Sequence, residues 1–194
     1  MTRTFIALAL DESLQLYLDG IMHRMARELP DLRWVDSRGM HLTLAFLGEL
    51  NDQQVSEAIN ATELAARTVS PFVYRLSHPG IFGSPDRPRI IWIGVDESSG
   101  TLINLHQQLN QELERHGFAI DTRPFSPHLT LSRVKAPLKV EEQQSLRRIL
   151  AGKDFQSASP ICYVQHISVM KSELSRTGAS YTCLRNVSLG PNGG

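Results

Sequence analysis

Four residues, His41-Leu42-Thr43-Leu44, return unchanged as His128-Leu129-Thr130-Leu131, 128 − 41 = 87 positions further along the chain. Each copy lies in an apolar run of strand length. In a strand alternate side chains share a face, so histidine and threonine point one way and the two leucines the other. One face is then buried and the other is free for chemistry. A fold that uses both copies must bring two strands, far apart in sequence, to face each other.

The surroundings of the two motifs repeat as well. Phe5 to Leu10 reads as a buried strand, and Leu14, Tyr17, Leu18, Ile21, Met25 and Leu29 follow at helical spacing up to Pro30. Later, Arg89 to Asp96 resembles Arg3 to Asp11 as an arginine-led apolar strand, and Leu102, Leu105, Leu109 and Leu113 form a stripe stopped by His116-Gly117. Arg3 precedes His41 by 41 − 3 = 38 positions and Arg89 precedes His128 by 128 − 89 = 39. The first motif strand runs to Leu47 and closes at Gly48. Asn51 or Asp52 caps a helix carrying Val55, Ile59, Leu64 and Ala65 to about Val69, and Val140 to Leu150 is its counterpart after the second motif. Phe72 to Leu76 is extended. The turn-rich stretch from His78-Pro79-Gly80 to Pro88 is the one plausible internal boundary. Ile161 to Met170 and Ser180 to Leu189 supply closing strands, and Gly190 to Gly194 reads as a frayed tail. These spacings predict an internal duplication, with approximate repeats 1–82 and 87–189 inside a single bilobal domain spanning 1–194. The fold class is α+β, two lobes related by an approximate two-fold axis with the motif strands opposed across a cleft.

Composition limits the partner. Lys plus Arg equal Asp plus Glu at 20 each, which leaves no excess positive field to hold a long phosphate backbone by counterion release, so any nucleic-acid contact is local. Two cysteines, Cys162 and Cys183, make no extracellular framework and suit reduced thiols in the cytoplasm. The apolar N-terminal run ends at Asp11-Glu12 without a small-residue cleavage site, which fits a first strand better than a signal peptide. No run approaches the roughly 18 apolar residues of a membrane span. A soluble cytoplasmic protein is expected.

Two facing histidines suit in-line displacement at phosphorus. Imidazole, with an unperturbed pKa of about 6.5, takes a proton in one copy while the other gives one. Thr43 and Thr130, on the same faces, can donate to nonbridging phosphoryl oxygens, which carry charge through the transition state. Arg133 lies five positions past His128, so strict alternation places it on the opposite face; a bulge or the strand end would redirect it to the phosphate. Metal binding by the histidines lacks a third ligand at motif spacing, and Ser126 and Ser132 lack the surroundings of a nucleophile elbow. His23, His106 and His116 read as solvated or packing residues on or beside helices. Trp34, Phe46, Phe82, Trp92 and Phe125 are candidates to stack on a base, although aromatics in strands, Trp92 foremost, are usually core.

Taken together, Arg3 to Ala7, Trp34-Val35, His41 to Gly48, Arg89 to Gly94 and Ser126 to Arg133 resemble the two-histidine phosphoesterases, specifically the bacterial LigT-like RNA 2',3'-cyclic phosphodiesterases, also called 2'-5' RNA ligases. The resemblance covers nearly the whole chain. It implies two antiparallel sheets flanked by helices around a cleft, with no metal and no cofactor. It also implies opening of an RNA 2',3'-cyclic phosphate at the bond to O3' to leave a 2'-phosphate, or attack by a 5'-hydroxyl to give a 2'-5' linkage. Carried over, His128 is the base toward water and His41 the acid at O3', although near symmetry leaves the two roles exchangeable from the residues alone. Thr43, Thr130 and Arg133 hold the phosphate, and Phe46 adjoins the nucleoside. The expected partners are RNA ends, tRNA fragments among them, met by a monomer. A noncatalytic RNA-end binding module and a phosphodiesterase of small nucleotides are the competing readings.

Overall fold

The continuous apolar run from Phe5, buried on both faces, builds the first strand, β1 (Thr2–Ala9), and Asp11 then starts a helix by accepting from the Leu14 N–H at 2.8 Å. In this structure, a computed structural model, residues 1–152, 159–175 and 178–190 are described. The helix, α1 (Glu12–Glu28), buries Leu14, Leu18, Ile21, Met22 and Met25. The first motif opens β2 (His41–Leu50), and Asn51 and Gln54 form a reciprocal capping box at the start of α2 (Asp52–Arg67). The second half runs β3 (Phe72–Ser84), β4 (Arg87–Asp96), α3 (Thr101–Arg115), β5 (His128–Arg133) and α4 (Val140–Ala151). It ends in β6 (Cys162–Val164), β7 (His166–Ser175) and β8 (Gly178–Ser188).

The strands form two antiparallel four-stranded sheets, ordered β2-β1-β7-β8 and β5-β4-β3-β6. Equivalent places are held by β2 and β5 and by β1 and β4, as a duplication requires. Each sheet, however, takes its third strand from the other half of the sequence: β3 pairs with β4, and β7 pairs with β1. The expected boundary at 78–88 is therefore a hairpin, not a break between lobes. Pro79 falls at a register shift in β3, where a missing N–H does not interrupt the ladder, and only Pro85 and Asp86 lie between the strands.

Three further expectations change. Gly48 does not close β2; it sits beside a register shift with φ 78°, and the strand continues to Leu50. The run Ile161 to Met170 is two strands parted at Gln165, β6 joining one sheet and β7 the other. Gly190 is not frayed, being buried with its N–H bonded to Ala66 O at 3.0 Å, while 191–194 lie outside the described residues. The ladders also shift the repeat by one position. Ala9 pairs with His41 and Gly94 with His128, and counting back from these makes Thr4, not Arg3, the counterpart of Arg89. Cys162 and Cys183 are free thiols, one buried and one exposed.

Candidate active site

Both histidines open the outermost strand of their sheet, and β2 and β5 contact each other. The local geometry is duplicated in detail. His41 Nδ1 lies 3.0 Å from Gly39 O, and His128 Nδ1 lies 2.7 Å from Ser126 O, each the carbonyl two residues back. A carbonyl only accepts, so Nδ1 carries the hydrogen in both rings and Nε2 is left to exchange a proton. Each ring also meets an aromatic edge-on: Tyr181 against His41 at 4.8 Å and 76°, Phe82 against His128 at 4.9 Å and 87°. Phe5 adds a tilted contact to His41 at 4.5 Å, and Trp92 one to His128 at 6.0 Å. These contacts fix ring orientation before any substrate arrives. Burial holds the His41 pKa below the ordinary value, the Gly39 carbonyl opposing it.

The leucines take the buried side of each strand: Leu42, Leu44, Leu129 and Leu131 are all in the core. Thr43 and Thr130 fall on the histidine side, the first exposed and the second half-buried. Both strands carry a bulge at the last residue of the motif, the ladder skipping Leu44 between Ile6 and Ala7 and Leu131 between Ile91 and Trp92. Leu131 and Ser132 are consequently buried in succession, and Arg133 emerges exposed on the face that holds His128. Phe46 stands at the same offset from His41 and is likewise exposed, with the Arg3 guanidinium 4.8 Å from its ring centre. The bulge thus settles the parity of Arg133, which strict alternation would place on the far face. Its side chain borders a separate concavity with Arg33 and Lys135, at the end of β5 away from His128.

A cavity of about 550 Å³ is lined by Thr43, Phe46 and His128, and its other wall is α3 with the connection ahead of β5. His41 and Thr130 are not among its lining residues. That wall carries residues that belong to neither motif. His106 stacks on Phe125 at 3.9 Å and 8°, Asn110 Nδ2 lies 3.2 Å from His106 Nε2, and burial lowers the His106 pKa. A second duplicated signal precedes the motifs: Asp36-Ser37-Arg38 and Asp121-Thr122-Arg123, five and seven positions ahead of the histidines. In each, the aspartate accepts from the arginine's own N–H at 3.0 Å and from its guanidinium, which holds Asp121 down to about 2. The two clamps shape the turns that deliver the chain into β2 and β5. Tyr181 comes from β8 and has no counterpart in the repeat pattern. Among the described residues no three His, Cys, Asp or Glu side chains converge as metal ligands would, and no helix is long and apolar enough to cross a membrane.

The molecule is similar to known proteins over nearly its whole length. A protein from Thermotoga maritima named RNA 2',3'-cyclic phosphodiesterase is 32% identical, with 94% of this chain and 92% of that protein aligned. One of the same name from Methanothermobacter thermautotrophicus is 29% identical over 93% of this chain and 95% of the relative. A structure from Thermus thermophilus superposes with a TM-score of 0.78 at 25% identity, covering 98% of this chain and all of that one. E. coli LigT complexed with 3'-AMP superposes with a TM-score of 0.73 at 26% identity, covering 97% and 98%. The sequence model of the 2'-5' RNA ligase superfamily matches residues 17–176, and with two antiparallel sheets and duplicated histidine strands in place, the chain belongs to that superfamily.

Proposed function

We propose that the chain is an RNA 2',3'-cyclic phosphodiesterase that works without a metal, opening the cyclic phosphate to a 2'-phosphate with His41 and His128 as acid and base. One observation carries the reading: two imidazoles on symmetry-related strands are each tethered at Nδ1 to a backbone carbonyl, leaving one Nε2 apiece for proton transfer. The activity for which the relatives are named agrees with it.

In the proposed reaction His128 Nε2 takes a proton from water as the oxygen bonds to phosphorus. The bond from phosphorus to O3' breaks on the opposite side, and His41 Nε2–H gives its proton to O3'. Thr43 and Thr130 donate to the nonbridging oxygens, Arg133 balances their charge from the end of β5, and Phe46 lies against the nucleoside. A 5'-hydroxyl in place of water gives a 2'-5' linkage by the same steps. The free thiols suit a cytoplasmic setting, and RNA ends, including those of tRNA fragments, are the proposed partners of a monomer.

Incubation of an oligoribonucleotide ending in a 2',3'-cyclic phosphate with purified protein and a chelator yields a 2'-phosphate terminus. No product, or a 3'-phosphate, rejects the assignment. A kcat/KM on cyclic mononucleotides equal to that on oligonucleotides points instead to a small-nucleotide enzyme, because contacts beyond the terminal base then contribute nothing. The pH dependence follows from His41. An acid must be protonated in the free enzyme, and burial lowers the His41 pKa from 6.5, so kcat/KM declines with rising pH from a point below 6.5. A profile that holds level through pH 6.5 and falls only in the alkaline range contradicts this role for His41.

A further inference from the structure

The edge of β5 that points away from β4 is covered by the connection ahead of the first motif. Val35 N–H donates to Leu131 O at 2.9 Å, Ser132 Oγ donates to Arg33 O at 2.8 Å, and Trp34 forms an antiparallel bridge with Ser132. In that register the residue before Trp34 lies opposite the residue after Ser132, so Arg33 is set directly against Arg133. Both are exposed, whereas Ser132 is buried. Like charges directly opposite each other across a ladder repel. The duplication does not demand such a pair, because the position at the same offset in β2 is Phe46.

The two arginines line a concavity of about 310 Å³ together with Lys135, Lys139, Asp31 and Glu142. Four cations against two carboxylates leave 4 − 2 = 2 positive charges there, in a chain whose charges balance overall at 20 each. The carboxylates do not relieve the arginines. Asp31 is held by Lys139 Nζ at 2.6 Å, and Glu142 is buried with Oε2 accepting from the Lys139 N–H at 2.9 Å. Among the described residues no ion pair joins Arg33, Arg133 or Lys135 to an acid. Val134 between the last two is half-buried, its N–H on Arg89 O at 2.9 Å, which leaves Arg133 and Lys135 exposed on one side of an extended chain.

Three cations gathered without a counter-charge call for an anion, and guanidinium forks match the oxygens of a phosphate. The place says which phosphate. In the proposed reaction Thr130 meets the reacting group, and Arg133 lies three residues further along the same strand, about 10 Å away, with Arg33 and Lys135 around the concavity beyond it. An anion held there is therefore not the cyclic phosphate but a neighbour of it on the same RNA strand. Resting on the reading that the substrate is an RNA end, we infer that the concavity of Arg33, Arg133 and Lys135 holds the phosphodiester on the 5' side of the terminal nucleoside. A cyclic mononucleotide has no such phosphodiester, so the concavity selects the end of a polynucleotide over a small cyclic nucleotide. One phosphate is enough, and the contact stays local in a chain without net positive charge.

Three substrates test this: a cyclic mononucleotide, a dinucleotide ending in a 2',3'-cyclic phosphate, and the same dinucleotide with a neutral methylphosphonate linkage. Both dinucleotides lack the 2'-hydroxyl beside the linkage, which keeps the methylphosphonate intact. For the unaltered protein kcat/KM on the charged dinucleotide exceeds that on the neutral one by about tenfold or more, the usual worth of a hydrogen bond to a charged group. Arg33→Gln and Lys135→Gln each shrink that preference several-fold and leave the cyclic mononucleotide within about twofold of the unaltered protein. Arg33→Gln also keeps or raises the denaturation midpoint, since it removes one of two opposed like charges. Equal rates of the unaltered protein on the two dinucleotides overturn the inference. So do variants that slow the mononucleotide as much as the charged dinucleotide, because the two side chains then serve the reacting phosphate. Failure of the underlying reading is distinct: the unaltered protein then opens none of the three, and tighter binding of the charged dinucleotide than the neutral one, lost in Arg33→Gln, still upholds the concavity while equal binding rejects it.

Discussion

His41→Ala and His128→Ala each lower turnover of a 2',3'-cyclic phosphate by about 10² to 10⁴-fold, the usual worth of one positioned acid or base. The double variant loses far less than the product of the two single effects, because in the proposed reaction acid and base act on one displacement. Both side chains are half-buried at strand starts and outside the core, so the variants keep the melting behaviour of the parent and the loss reads on chemistry. The two roles separate with a leaving group that departs without a proton. On a p-nitrophenyl phosphodiester His41→Ala retains most of the parental rate, since nitrophenolate leaves unassisted, while His128→Ala stays impaired because water still needs a base. The reverse pattern exchanges the roles, and it would also place the base at the histidine whose burial favours the neutral form. Equal loss in both variants on this ester rejects the division of labour altogether.

The motif pairing was legible because it depends on local periodicity. His-x-Thr alternation assigns faces, and the strand order puts both motif strands at the outer edge of a sheet, as a duplicated cleft requires. What periodicity does not carry is the identity of a strand's neighbour. Nothing in Phe72–Ser84 or His166–Ser175 marks them as strands exchanged between halves, since antiparallel partners are chosen by tertiary packing. Gly48 reads as a stop for the same reason: a glycine with positive φ ends a strand or bulges it, and only the facing strand decides which. The bulges at Leu44 and Leu131 were equally hidden, yet they determine where Phe46 and Arg133 point. Nothing beyond helical spacing marks His106, and its place in the cavity wall comes from Phe125 stacking on it from a connection without regular structure. The clamps at Asp36-Ser37-Arg38 and Asp121-Thr122-Arg123 were a readable repeat, disguised by their unequal distances from the histidines.

Gly80→Ala destabilises the fold by about 1–3 kcal/mol, the usual cost of overpacking, and lowers activity through His128. Gly80 lies on β3 directly opposite Trp92 of β4, and the indole covers its Cα. A methyl group there would run into Cζ2 and Cη2 of the ring and sit 2.7 Å from Cε2. A flexible side chain relieves such a contact by rotating its tip, but a rigid bicycle has to move as a whole. It cannot move freely, because Phe82 meets it at 5.5 Å and His128 at 6.0 Å. Among the described residues Trp92 Nε1 is buried without a partner, so a shift of the ring gives up no hydrogen bond and the cost is steric. The displacement passes instead to the His128 imidazole beside it, which is turned from the orientation that the proposed reaction requires. Denaturant midpoints for Gly80→Ala, Trp92→Leu and the double variant measure the coupling: the smaller side chain makes room for the methyl, so the double variant is less destabilised than the sum of the singles. Additive losses place the strain elsewhere, and a Gly80→Ala protein with the parental midpoint and kcat shows that the indole is free to yield.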